Sequence, residues 1–381
     1  MNSFVRLWTA KRILRKGRMT GCMILIALVM APVVIALIFS ESMMNGITEK
    51  LIYVTDGHIQ VSSFSFLDVP VDQIYSMDRT VVGYALMYSS SETASVMIKG
   101  VEDDYFNQKR MGQLTITRLD PELRSNLNGI IVGSSAASHL GIKVGDRVAL
   151  MVVPDTEQGV LRPVMLQVTG IYSTGYGQID NQLAFVDYSY AEKLFTNPLS
   201  FRTEITALSS DNLPQVRTDG IATGWQERNQ AVFMNFVNSR QMIALILLVI
   251  VFVAAFYTAS TANQIIEDDI EEIAVSKLLG ASDRQIRTSA FLSIFAVTLT
   301  GMLIGLVLGI AVGTNLSPLL SALSRSGVIS LSLYLLEFDA VIPWPSILFM
   351  MGVLVLVSTF AVMLSLGHTR KITPMRLFTG L

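Results

Sequence analysis

Charge is scarce in this sequence, and cysteine almost missing. Only 15% of its 381 residues are Asp, Glu, Lys or Arg, where ordinary soluble domains carry about 25%. The formal net charge of −2 leaves no basic field for nucleic acid to follow, so no nucleic-acid partner is expected. The single cysteine, Cys22, excludes an internal disulfide framework and a multi-cysteine metal site. Standing in an apolar run, it reads as a small buried hydrophobe. His58, His139 and His368 lie far apart without ligand spacing and read as surface or packing residues, so no metal site is expected. A phosphate-cradling G-x-x-x-x-G-K-S/T loop is missing, as are a serine elbow and an HExxH pair. The chain is therefore not expected to be an enzyme or to bind a cofactor of its own.

Apolar residues fill the space that charge leaves. They make up 51% of the chain, and the mean hydropathy is +0.51. Four segments reach the roughly 20 apolar residues that cross a bilayer: Gly21–Ser40, Met242–Ala262, Ala290–Gly313 and Ile347–Leu366. In lipid each backbone group must bond within its own segment, so all four are expected to be helices. Pro32 is expected to kink the first. The first run is too long for a signal-peptide core, and Glu41-Ser42-Met43-Met44 offers no small-x-small cleavage site. No spanning segment carries a charge, which argues against a proton relay or ion path through the membrane. Energy for work across the membrane would come from a partner.

Lys and Arg near the helix ends give an orientation. Arg6, Lys11, Arg12, Arg15, Lys16 and Arg18 precede the first segment, and Arg370, Lys371 and Arg376 follow the last. Lys277, Arg284 and Arg287 stand in the second connection, whereas the third holds only Arg325 with Glu337 and Asp339. Both termini and the second connection are thus expected in the cytoplasm, and the long first connection outside. The fold class is membrane α-helical, with four transmembrane helices and a large α/β extracytoplasmic domain inserted between helices 1 and 2. The expected divisions are an amphipathic cytoplasmic N-terminal helix (1–20), the first span (21–40), the extracytoplasmic domain (41–240), and the second span (241–263). A cytoplasmic coupling loop (264–289), the third span (290–314), an outer loop (315–345), the fourth span (346–367) and a cytoplasmic tail (368–381) follow.

Within the inserted domain, His58–Ser62, Ser95–Lys99, Arg147–Val153 and Met165–Ile171 are β-branched and bounded by turn residues, as strands are. Ser134–Leu140 reads as a short helix with a serine cap, closed by Gly141. In the coupling loop, Ile270, Ile273, Ala274, Lys277 and Leu278 fall on one helical face at i, i+3, i+4, i+7, i+8. Acidic residues (Glu267, Asp268, Asp269, Glu271, Glu272) crowd its start, as a helix N-terminus favours, and Gly280 supplies a stop. A short amphipathic helix on a tight loop suits a groove on a cytosolic partner, with Ile273 and Leu278 as its anchors. Gly301, Gly305, Gly309 and Gly313 stand four apart in the third span, a small-xxx-small pattern for close helix packing.

Ile270–Ala281 (IEEIAVSKLLGA), followed by the glycine-spaced helix, resembles the permeases of the MacB/FtsX/lipoprotein-releasing group of ABC transporters. So do SMMNGI at Ser42–Ile47, GHIQVS at Gly57–Ser62, KGVE at Lys99–Glu102, the run Gly133–Leu150, the run Val168–Asp180 and ITPMRL at Ile372–Leu377. This FtsX-like permease family includes the lipoprotein-releasing LolC and LolE subunits, which the ordered set of motifs resembles most. The resemblance implies a coupling helix against an ATPase at Asp269–Arg284, and so roles there for Asp269, Ile270, Ile273, Ala274, Lys277, Leu278, Gly280 and Arg284. It implies a dimer with a second permease copy or a paralogue on a cytosolic ABC ATPase dimer, where ATP and Mg would be bound. It also implies a cavity open to the outer leaflet, to which Val33, Leu37, Met43, Met44, Asn45, Phe233, Phe236, Met242 and Ile246 correspond. The implied location is the cell inner (cytoplasmic) membrane. The implied function is ATP-driven extraction of lipoproteins toward the outer membrane, with membrane lipid as a contact and a LolA-like carrier as a candidate partner. The segment matching the carrier-gripping hairpin, Pro154–Pro163, carries no distinct motif. Two alternatives stay open: export of another amphipathic substrate (peptide, toxin or glycolipid), and FtsX-like mechanical regulation of cell-wall hydrolases.

Overall fold

The computed structural model describes residues 17–89, 92–118, 128–152, 163–209, 213–268, 270–325 and 338–366. The N-terminal amphipathic segment up to residue 16, Asp269, the tail from residue 367, most of Pro154–Pro163 and residues 326–337 lie outside these. The chain forms two compact units, one of Met1–Ser42, Phe236–Leu316 and Ala340–Leu381, the other of Met43–Asn235 and Ser317–Asp339.

The first unit is built on four long apolar helices: α1 (Gly17–Lys50), α2 (Gln230–Asp268), α4 (Asp283–Gly313) and α5 (Trp344–Leu366), with the short α3 (Ile270–Leu278) between the second and third. All four are long and apolar enough to cross a membrane. Pro32 lies inside α1. Buried side chains from every long helix meet in one core, among them Ile26, Met30, Val34, Val251, Val297 and Leu354. Three buried hydroxyls bond within their own helices, Thr258 to the Ala254 carbonyl, Ser293 to Ser289 and Thr298 to Ile294, so these cost little in an apolar setting. The glycine row of α4 lies against α1. A Cβ would stand 2.7 Å from the Met23 oxygen at Gly301, 2.6 Å from Met30 Cβ at Gly305, 2.6 Å from Val34 Cβ at Gly309 and 2.8 Å from Ile38 Cδ1 at Gly313.

Among the described residues the second unit carries twelve strands: β1 (Ile59–Ser62), β2 (Leu67–Asp68), β3 (Ile74–Tyr88), β4 (Thr93–Val101), β5 (Thr115–Arg118), β6 (Gly129–Gly133), β7 (Arg147–Val152), β8 (Pro163–Ser173), β9 (Leu183–Asp187), β10 (Phe201–Ala207), β11 (Arg217–Thr218) and β12 (Ile221–Gly224). Ten of them form one sheet in the order β12-β1-β10-β3-β4-β9-β6-β8-β5, with β7 pairing both β3 and β8, and β2 pairs separately with β11. Those two pairings close β3, β4, β9, β6, β8 and β7 into a ring around a core of Val81, Met87, Ile98, Val132, Leu150, Leu166, Val168 and Val186. Closure removes the open edges that a flat sheet would expose. The fifteen-residue β3 serves both parts. Its second half joins the ring, and its first half carries β10, β1 and β12 as an annexe.

One expected detail is corrected. Ser134–Leu140 is a helix closed by Gly141 at φ +65°, but its N-cap is Gly133, without a side-chain cap. The Ser134 hydroxyl instead donates to Asp180 at 3.1 Å, because the helix start is pressed onto that segment.

Candidate functional site

Two places in the chain combine sharp backbone turns with buried or paired polar side chains. Among the described residues, no group of three or more His, Cys, Asp or Glu side chains is placed to hold a metal ion.

The first place is α3 and the turn after it. Glu271 and Glu272 open the helix, while Glu267 and Asp268 belong to the end of α2. Gly280 adopts φ +93°, a region that side-chain-bearing residues rarely tolerate, so the reversal into α4 needs glycine there. Ser282 then caps α4 through a reciprocal box with Gln285, and Lys277 pairs with Asp283 across the turn at 2.8 Å. The expected helical face divides. Ile273 and Ala274 are fully buried, and Ile273 packs with Ile286, Ala290 and Ile294 of α4 and Val362 of α5. Ile273 is therefore not an anchor for a partner, since the chain's own helices already cover it. The exposed apolar patch is Val275, Leu278 and Leu279, at 51, 61 and 84%. Arg284, in the first turn of α4, is exposed. Ile270 starts α3.

Leu278→Asp/Leu279→Asp replaces two exposed apolar side chains, each worth roughly 1.5–3 kcal/mol when a partner buries it. Binding of a docked ATPase is expected to weaken by about a hundred-fold or more, with membrane insertion unchanged. Ile273→Asp places an unpaired charge in the chain's own core and is expected to lower its yield in the membrane. Co-purification of the ATPase, normalised to permease level, separates the two effects.

The second place lies where the α1 polypeptide reaches the sheet domain. After Lys50 the chain makes one π-helical turn, Leu51–Asp56, whose Leu51, Ile52, Val54 and Asp56 are buried. Gly57 closes it at φ +67°, its N–H donating to the Ile52 oxygen at 2.7 Å. Lys99 of β4 points at this turn. Its Nζ donates to the Val54 and Thr55 carbonyls (3.3 and 2.7 Å) and lies 2.8 Å from the Glu204 carboxylate of β10, both side chains fully buried. Thr80 and Gln60 also donate to Glu204, at 3.2 Å each. Burial pushes the Lys99 ammonium down and the Glu204 carboxyl up, and the attraction between them opposes both shifts. Arg110 pairs with Asp78 at 2.7 Å and donates to the Tyr53 and Tyr105 carbonyls, holding the same turn from another side.

Asp56, the last residue of the turn, accepts from Gln60, from Arg228 Nε (3.2 Å) and from Asn229 Nδ2 (2.7 Å). Arg228 and Asn229 immediately precede Gln230, where α2 begins. The polypeptide leaving α1 and the polypeptide entering α2 are thus tied to one buried polar network. His58 beside it is a packing residue. Its Nδ1 accepts from the Ala207 N–H at 3.1 Å, and burial, with the nearby Lys109 charge, holds its pKa down to about 4, so it is neutral at pH 7. Sequence reasoning singled out none of Asp56, Glu204, Arg110 or Arg228. Lys99 entered only within KGVE, and its partner Glu204 lies 105 positions away.

The residues expected to line a cavity scatter in the single chain. Val33 and Leu37 are buried in the helix core, at 1 and 9%. Met43, Met44, Asn45, Phe233 and Phe236 are half-buried, and Phe233 packs edge-on against Trp225. Met242 and Ile246 are exposed, at 67 and 53%, at the head of an apolar stripe on α2 that continues through Leu245, Val249, Val253 and Phe256.

Four helices long and apolar enough to cross a membrane, with one large domain inserted between the first two, give the chain the architecture of a multi-pass membrane protein. A family model described as the MacB-like periplasmic core domain matches residues 20–219, just over half of the chain. A second, described as the FtsX-like permease C-terminal, matches residues 244–374. The chain belongs to this FtsX/MacB group of ABC transporter permeases. The lipoprotein-releasing system transmembrane protein LolC of Haemophilus influenzae is 22% identical over 349 residues, covering 85% of this chain and 86% of that protein. The protein of the same name from Neisseria meningitidis serogroup B is 25% identical over 313 residues, covering 72% and 74%. The solved extracellular domain of the noncanonic ABC-type transporter YknZ from Gram-positive bacteria aligns at 18% identity with a TM-score of 0.26, over 37% of this chain and 69% of that one.

Proposed function

We propose that this chain is the membrane subunit of a lipoprotein-releasing ABC transporter, extracting lipid-anchored proteins from the outer leaflet of the inner membrane. The observation that carries this reading is its 22% identity to LolC across 85% of the chain and 86% of that protein. In this reading both termini and α3 lie in the cytoplasm, as the Lys and Arg distribution supports, and the barrel domain is periplasmic. A separate ATPase binds ATP and Mg and docks on Val275, Leu278 and Leu279. Its movement reaches the barrel domain through α1 and α2, whose outer continuations are gripped by the Lys99–Glu204–Asp56 network. A second permease copy or a paralogue completes the cavity, with the exposed stripe of α2 facing the lipid anchor. A LolA-like carrier then receives the cargo. Export of another amphipathic substrate is the second reading, supported by the MacB-like core match, and differs only in cargo.

The test uses a photocrosslinking residue at Met242 or Ile246 of the full chain, in cells that hold its ATPase. Both positions are expected to capture a lipoprotein, and Val33, which is buried, is not. Capture of lipid alone at both exposed positions contradicts the lipoprotein reading.

A further inference from the structure

At the outer end of the helix unit, α1, α2 and α5 enclose a groove of about 290 Å³. Its walls are apolar, from Leu37, Ile243, Phe349 and Met350. Glu41 and Arg240 stand at its mouth, paired at 3.4 Å. They are the first charges beyond two apolar runs, which places them at one level, the membrane surface. Trp344, half-exposed at the start of α5, marks the same level, as interfacial tryptophans do. The groove is held open from one side. The Val341 N–H donates to the buried Ser42 hydroxyl at 2.8 Å, fixing the segment before α5 onto α1. Leu37 lies one turn below Glu41, about 6 Å deeper at 1.5 Å per residue, the depth of a lipid's glycerol and first acyl carbons.

We propose that this groove is a binding site for a zwitterionic, primary-amine phospholipid, a phosphatidylethanolamine, of the leaflet at that surface. The charge pattern chooses the occupant. Arg240 faces the phosphate with a planar array of donors. Glu41 faces the ammonium, whose N–H groups it accepts. An anionic glycerol headgroup would set its phosphate beside Glu41 with no amine to compensate, and a diacylglycerol would engage neither charge. A choline headgroup has no N–H to give. Such a lipid would fasten α1, α2 and α5 together at one end. The site goes beyond the release function and takes from it only the orientation that makes this the outer leaflet.

The full chain, purified in mild detergent, is titrated with phosphatidylethanolamine, phosphatidylcholine, phosphatidylglycerol and diacylglycerol of one acyl composition, and retained lipid is read by native mass spectrometry. Phosphatidylethanolamine is expected to be held about ten-fold more tightly than phosphatidylglycerol or diacylglycerol, the size of one charge-assisted hydrogen bond. Arg240→Gln should erase the preference and Arg240→Lys should keep part of it. In the wild type, a photoreactive group near the acyl carbonyl of the same lipid should label Leu37, Ile243, Phe349 or Met350, which decides the matter even if a variant fails to insert. Equal retention of all four lipids, or labelling spread along α2 without enrichment in the groove, overturns the proposal. Lipid selectivity without lipoprotein capture would sink the release function alone.

Discussion

Lys99→Met is expected to destabilise the inserted domain by about 3–5 kcal/mol, the usual cost of breaking a buried ion pair by removing one partner. Glu204 would remain fully buried with only Thr80, Gln60 and Tyr105 to bond, and the Val54 and Thr55 carbonyls would lose their cationic donor. A whole domain is stable by about 5–15 kcal/mol, so this is a large share. The double variant Lys99→Met/Glu204→Leu removes both charges, and its residual cost is chiefly that of the Thr55 carbonyl, about 1–3 kcal/mol at most, since Val54 keeps the Tyr105 hydroxyl at 3.2 Å. It is therefore expected to recover part of the loss. The measurement is limited proteolysis of the full chain in membranes with increasing denaturant. A Lys99→Met chain as resistant as wild type, or a double variant weaker than the single, would show that the network does not hold the turn Leu51–Asp56.

Gly305→Leu is expected to prevent stable assembly of the helix unit. Even the first added carbon would stand 2.6 Å from Met30 Cβ, 2.8 Å from the Ala27 oxygen and 3.1 Å from the Ala27 Cα, and the last two are backbone atoms that cannot turn aside. Overpacking costs about 1–3 kcal/mol even where side chains can adjust, so a clash with a helix backbone will exceed that range. Gly352→Leu on α5 is the matched control, since nothing lies within 4 Å of its Cβ position. The yield of full-length chain in the membrane and its thermal aggregation in detergent should fall for Gly305→Leu and stay unchanged for Gly352→Leu. Equal behaviour of the two would mean that α4 does not approach α1 as described.

The features that sequence made visible are those written in local periodicity. Each of the four spans is a continuous apolar run that only a helix can satisfy in lipid. Four-residue spacing put the α4 glycines on one side, and Gly280 and Gly141 sit where the chain adopts positive φ. Hydropathy, however, measures lipid thickness and not helix length. The α1 helix runs to Lys50 and α2 begins at Gln230, both beyond the apolar segments, because their polar continuations are helical too. The amphipathic face of α3 told that something covers Ile273, but an apolar stripe does not say whether the cover is a partner or the chain itself. Barrel closure depends on β3 meeting β7 more than sixty positions away, and the buried network joins residues from five separate stretches. Pairings across such distances leave no local pattern. The charges concerned look in the sequence like ordinary surface residues, and only burial reveals them as structural.

In the proposed function, ATP spent by a separate subunit drives this chain to lift lipid-anchored proteins out of the membrane. The most direct test places the full chain, its ATPase and one purified lipoprotein in proteoliposomes with a soluble acceptor, and follows lipoprotein appearing outside the vesicles. Release is expected to require ATP and to be lost with Leu278→Asp/Leu279→Asp while the lipoprotein remains in the membrane. ATP hydrolysis that proceeds at full rate in the intact complex with every lipoprotein still anchored would contradict it.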